Sequence, residues 1–131
     1  MSTFKSTITI NKPASTVYAF LADMNNHERL MPADISDWSS TVDGASFNIR
    51  NMLKLSVKIE GRVPDKEIRI IPAEKPPFDL ELKWTLTGNG DNTDVLFTII
   101  ADLNMMMKML ASGPLQKLAD DETANLRKLL S

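Results

Sequence analysis

The chain contains no cysteine and a single histidine, His27, among its 131 residues. Disulfides, thiolate nucleophiles and cysteine-based zinc sites are therefore excluded, as is any cluster of imidazole ligands within one chain. No apolar run approaches the roughly 18 residues of a membrane span. The opening Met1-Ser2-Thr3-Phe4-Lys5 lacks the apolar stretch of a secretion signal, which points to a cytoplasmic protein without integral membrane contact. An excess of positive charge is also missing: the formal net charge is −2, which argues against nucleic acid as a partner. No Gly-rich phosphate loop joins a strand to a helix, and no G-x-S-x-G surrounds a serine. The acidic run Asp120-Asp121-Glu122 and the pair Asp91 and Asp94 lack the ligand spacing of a calcium loop. No metal and no cofactor is expected.

What is present is alternation. Hydrophobic residues make up 43% of the chain and charged ones 24%, the balance of one ordinary domain over residues 1–131. Phe4, Ser6, Ile8 and Ile10 fall on one side of a first strand. Pro13 then suits the first turn of a helix over Ala14–Ala22, with Val17, Phe20, Leu21 and Met24 as its apolar stripe. Asn25-Asn26 can cap a second short helix that Pro32 stops. From Ile35 to Leu103 the pattern is strand and turn. Asp43-Gly44 is a hairpin signal, Asn51-Met52 a turn, and Gly61 a bulge within a strand over Leu53–Val63. Phe78–Thr87 and Asp94–Leu103 alternate in the same way and place Leu82, Trp84, Phe97 and Ile99 on inner faces. Short turns between successive strands predict an antiparallel meander, with one face apolar and one facing water.

The C-terminal stretch must cover the apolar face. Ser112-Gly113-Pro114 predicts a break between a short Met-rich element, Met105–Leu110, and a long amphipathic helix, Pro114–Leu130. Spacing of i, i+3 and i+4 puts Met106, Met109 and Leu110 on one face and sends Met107 elsewhere, where it can serve a dimer contact. The methionines read either as an adaptable lid over a pocket mouth or as gap-fillers in the core. At about 100° per residue, Leu118, Ala119, Leu126, Leu129 and Leu130 all lie within about 60° of Leu115, and Glu122 falls near the centre of their stripe. A carboxylate there needs a partner, a water-filled cavity or a proton. The indole N–H groups of Trp38 and Trp84, Tyr18 and His27 are the available donors. Glu122 and His27 are the only candidates for acid–base chemistry, although the position of His27 beside a cap favours a solvent-facing side chain.

The segment Ile8–Asp23, with its strand, Pro13 and helix, resembles the opening of the START-like and birch-pollen-allergen-like helix-grip superfamily, also known as SRPBCC. Leu30-Met31-Pro32 resembles the end of that family's second short helix. The terminal helix with Leu118-Ala119-Asp120 and Asn125-Leu126 completes a likeness in element order over the whole chain. The resemblance implies an α+β helix-grip fold: a curved antiparallel sheet of six to seven strands wrapped on a long C-terminal helix, with two short helices after the first strand. It further implies a pocket between sheet and helix for a lipid, quinone or polyketide-like molecule. Members include binding proteins, cyclases, hydrolases and protein-interaction modules. The expectation here is a binding or carrier protein, monomeric or weakly dimeric. The residues expected to line its pocket are Trp38, Phe47, Ile49, Leu55, Val57, Leu82, Trp84, Phe97, Ile99, Met106, Met109, Leu110, Leu118 and Glu122. The alternatives are a cyclase- or hydrolase-type enzyme using Glu122 or His27, and an interaction module acting through the methionines. An enzyme requires converging polar groups inside a cavity, whereas an interaction module requires a filled core and an exposed methionine patch.

Overall fold

The computed structural model describes all residues, 1–131. Seven strands form one antiparallel sheet: β1 (Ser2–Ile10), β2 (Ile35–Ser40), β3 (Gly44–Ile49), β4 (Leu53–Val63), β5 (Glu67–Pro72), β6 (Leu80–Asn89) and β7 (Asn92–Ala101). Their order is β1-β7-β6-β5-β4-β3-β2, so β1 lies at one edge and β2 at the other. The chain crosses between these edges through helix α1 (Ala14–Leu21) and a 3₁₀ helix (Met24–Leu30). The expected fold class, α+β with a long terminal helix, is what the structure shows.

Alternation set the strands. Phe78, Leu80, Leu82, Trp84 and Leu86 are all buried, as are Val95, Phe97, Ile99, Ala101 and Leu103. The β6–β7 register places Trp84 opposite Phe97, and their rings stack with centroids 4.1 Å apart. A register shift between Ile59 and Gly61 is the expected bulge. Gly44 works differently from the hairpin reading. It opens β3, and a Cβ there would sit 2.9 Å from the Val57 carbonyl oxygen, so close strand approach is what demands glycine. The β3–β4 turn includes the expected Asn51-Met52 but starts one residue earlier, at Arg50. Arg50 and Asn51 have positive φ, 52° and 57°, at the centre of a tight turn that the Met52 N–H closes on the Ile49 carbonyl at 2.9 Å. Arg50 is an unusual residue for that conformation. Asp34 holds it, accepting from the Arg50 backbone N–H at 2.9 Å and from Nε at 2.8 Å. The 3₁₀ helix is capped by Asp23, whose carboxylate accepts from the Asn25 N–H, rather than by the Asn25-Asn26 pair.

The expected break at Ser112-Gly113-Pro114 does not occur. Helix α2 runs unbroken over Met105–Leu130 and starts at Asn104, whose side chain accepts from the Met107 N–H. Pro114 has no N–H to give the Leu110 carbonyl, a loss that costs a helix interior about 3 kcal/mol. Burial on both sides of the proline offsets it, because Ala111, Pro114, Leu115 and Leu118 all face the core. Helix α2 packs mainly on β1 and, to a lesser and equal extent, on β7 and the 3₁₀ helix. Three polar contacts fix its position. The Ser6 and Thr123 hydroxyls lie 2.7 Å apart, Gln116 donates to the Lys5 carbonyl, and Asn125 donates to the Leu30 carbonyl. Thirty buried apolar residues form one core between sheet and helices.

Candidate functional site

The continuous helix fixes which residues face inward. Positions 107, 111, 114, 115, 118 and 122 follow one i, i+3, i+4 ladder. Met107 therefore turns towards the sheet, whereas Met105, Met106 and Met109 project into solvent, 82%, 71% and 84% exposed. This reverses the expected roles: Met106 and Met109 neither fill the core nor share an inner face with Leu110. The reason is that one helix has one facing, and the apolar ladder beyond Pro114 sets it for the methionines as well.

Where the first turns of α2 meet the sheet there is a cavity of about 440 Å³, lined by Met52, Leu53, Pro77, Met107, Leu110 and Ala111. Three elements build it. The strained turn at Arg50-Asn51 delivers Met52 and Leu53, the β5–β6 connection delivers Pro77, and α2 supplies the rest. Five of its six lining residues are hydrophobic. The other four concavities are lined mostly by polar residues. A volume of this size matches small-ligand sites, which span about 300–1,000 Å³.

Of the residues expected to line a pocket, Leu110 lies on this wall. Phe47, Ile49, Leu55, Val57, Leu82, Trp84, Phe97, Ile99 and Leu118 are packed in the core. Trp38 is half-buried and stacks on Phe47 at 5.3 Å. Met52, Leu53, Pro77, Met107 and Ala111 were missed. Their signal was available only in part: Met107 and Ala111 share a helical face, but nothing in the sequence brings Met52 and Pro77 beside them.

The polar groups lie deeper. Glu122 is 2% exposed, as its place in the stripe predicts. Burial pushes its carboxyl well above the usual range, and no charge or hydrogen bond offsets that effect. His27 is 1% exposed, which overturns the solvent-facing expectation. Its Nε2–H donates to the Leu21 carbonyl at 2.8 Å, and its ring meets Trp84 edge-on at 6.3 Å. Burial lowers its pKa to about 4, so the ring is neutral at physiological pH. The 3₁₀ helix presses it inward because Met24 and Leu30 on the same segment anchor in the core. The indole N–H groups of Trp38 and Trp84 are buried without partners, so neither reaches Glu122. Neither His27 nor Glu122 lines the apolar cavity.

No family model matches the chain, and no curated protein matches it in sequence. Solved structures do match in fold. TTHA0849 from Thermus thermophilus superposes with a TM-score of 0.78 at 14% identity, covering 98% of this chain and 97% of that one. A START superfamily protein from Mycobacterium smegmatis gives 0.68 at 14% identity over 97% and 98%. The fold is the START-like helix grip. An Aha1 protein from Colwellia psychrerythraea, solved as a dimer, shares it at 0.69 and 18% identity, covering 99% of this chain and 96% of that one. In this helix grip, no helix is long and apolar enough to cross a membrane.

Proposed function

We propose that the chain binds a small apolar molecule, of the lipid, quinone or polyketide-like class, at the open end of its helix grip, and that it does so as a carrier rather than as an enzyme. The observation that carries this reading is the 440 Å³ cavity, the one concavity with a predominantly hydrophobic lining. Its walls suit a variable guest. Met52 and Met107 have flexible, polarisable side chains that re-pack cheaply around different shapes. The START-like fold supports the reading, since START-type proteins commonly hold hydrophobic ligands at the sheet–helix interface. The buried acid and imidazole lie outside this wall, so the cavity offers a guest shape and apolar surface, not a positioned acid or base.

Native mass spectrometry of the protein as purified, followed by a panel of lipids and quinones read by NMR, tests this. A bound guest should shift the Met52 and Met107 methyl signals and the Leu110 methyls. Leu110→Asp, at a half-exposed position that tolerates charge, should weaken binding at least tenfold. Shifts confined to the outer sheet face around Thr7, Thr85 and Thr87 would sink the proposal.

A further inference from the structure

Met105, Met106 and Met109 project from the first turns of α2 into solvent, and Met106 lies one turn before Leu110 of the cavity wall. Met52 and Leu110, each half exposed, join them to its wall. These five side chains expose on the order of 600 Å², the upper end for the largest apolar patch of an ordinary monomer. Met52 and Leu110 belong both to the patch and to the cavity wall, so a partner that covers them also covers the opening.

We propose that this collar is the contact surface for a second copy of the chain, and that two copies meet about a twofold axis with their cavity mouths facing. Two observations favour a second copy over other occupants. The first is area: a twofold contact through this patch buries about 1,200 Å² in total, the lower end for a specific interface and suited to a weak, reversible dimer. The second is charge. The segments that carry the collar and the cavity walls also carry Lys54, Lys75 and Lys108 together with Glu74, Asp79 and Asp102, all exposed. None of these six forms an ion pair within the chain; the salt bridges all lie elsewhere. A surface with both signs unpaired can complement itself across a twofold axis. The same balance gives an anionic bilayer little to attract. Closure of the cavity by the partner's methionines rests on the binding reading above; the contact itself does not.

Sedimentation velocity on protein shown by native mass spectrometry to be ligand-free tests the contact, from about 1 μM to about 1 mM. The wild type should pass from monomer to dimer. A triple variant, M105Q/M106Q/M109Q, should weaken association at least tenfold with little change in thermal unfolding, because these side chains are mostly exposed and glutamine adds no charge to the helix N-terminus. The absence of native cysteine allows single-site labelling. A nitroxide on Met106→Cys should give a shorter distance between protomers than one on Lys128→Cys, at the far end of α2. A wild type monomeric throughout, a dimer indifferent to the triple variant, or the reverse order of label distances overturns the proposal. So does a monomer that floats with phosphatidylcholine–phosphatidylserine vesicles, which would assign the collar to a lipid surface. A dimer that takes up nothing from the lipid and quinone panel leaves the contact standing and removes the binding reading; a monomer that binds a guest does the opposite.

Discussion

The two ends of helix α2 invert each other. Its first turns place Met105, Met106 and Met109 in water, where polar residues are expected, and its later turns place Glu122 in the core, where leucine is expected. The difference separates two kinds of departure from a simple amphipathic pattern. An exposed methionine costs the isolated chain little, because leaving surface uncovered forgoes a gain without breaking anything. A buried carboxyl without a partner is a standing cost, and the surrounding packing must outweigh it. The first is a surface feature with meaning for association, and the second a stability feature with meaning for pH.

Truncation sharpens the contrast most. Trp84→Ala should cost about 3–5 kcal/mol and Leu118→Ala about 2–5 kcal/mol in urea unfolding, since both leave cavities in close-packed surroundings. Equal losses at Met106→Ala would show that the exposed end is part of the core after all.

The next effect is in pH. His27 takes up its proton at about 4 when folded, against 6.5 for the free side chain. As pH falls from 6.5 towards 4, the unfolded chain gains a proton that the folded one refuses, and up to about 3 kcal/mol of stability is lost. Glu122 acts in the opposite sense. Its folded pKa lies above the ordinary value near 4.5, so the folded state holds the proton longer, and stability falls as pH rises from there to the elevated folded value. From pH 4.5 up to the elevated Glu122 pKa, and below 6.5, the two slopes oppose each other. Relative to wild type, Glu122→Gln should therefore gain stability progressively as pH rises through this window. His27→Gln should lose its relative deficit as pH falls through it, because the substitution removes the acid-linked loss. Urea unfolding at pH 4.5, 5.5 and 6.5 reads both, and parallel profiles for all three proteins would remove Glu122 and His27 as buried titrating groups.

Glu122→Leu should raise stability at pH 7 by about 1–3 kcal/mol, by replacing an unpaired buried carboxyl with apolar packing. A loss in thermal unfolding would mean that the carboxyl has a favourable partner. The smallest effect belongs to the collar. Met105→Gln and Met109→Gln should each change monomer stability by less than about 0.5 kcal/mol, the range of surface substitutions. A larger shift, measured in dilute solution, would show that these methionines pack within their own chain.

Much of the fold is legible in the sequence because strand alternation is local. The Leu53–Val63 strand can be read to the residue, and so can the inner faces of β6 and β7. Glu122 is legible for a similar reason, since helical spacing alone puts it in the stripe. Local rules mislead where distant packing decides. Ser112-Gly113-Pro114 carries a true penalty against helix, and only burial of Ala111, Pro114 and Leu115 overrides it. His27 looks like a surface residue beside a cap until Met24 and Leu30 draw its segment inward over Trp84.

Periodicity is readable from the chain alone: which residues alternate, which face of each strand is apolar, and where a carboxylate interrupts a leucine stripe. These follow from backbone geometry, which every residue carries with it. Packing in three dimensions makes α2 one helix, turns Met107 rather than Met106 inward, and brings Met52, Pro77 and Leu110 around one cavity. Those outcomes depend on contacts between residues far apart in the chain, and no local rule encodes the energy of such contacts.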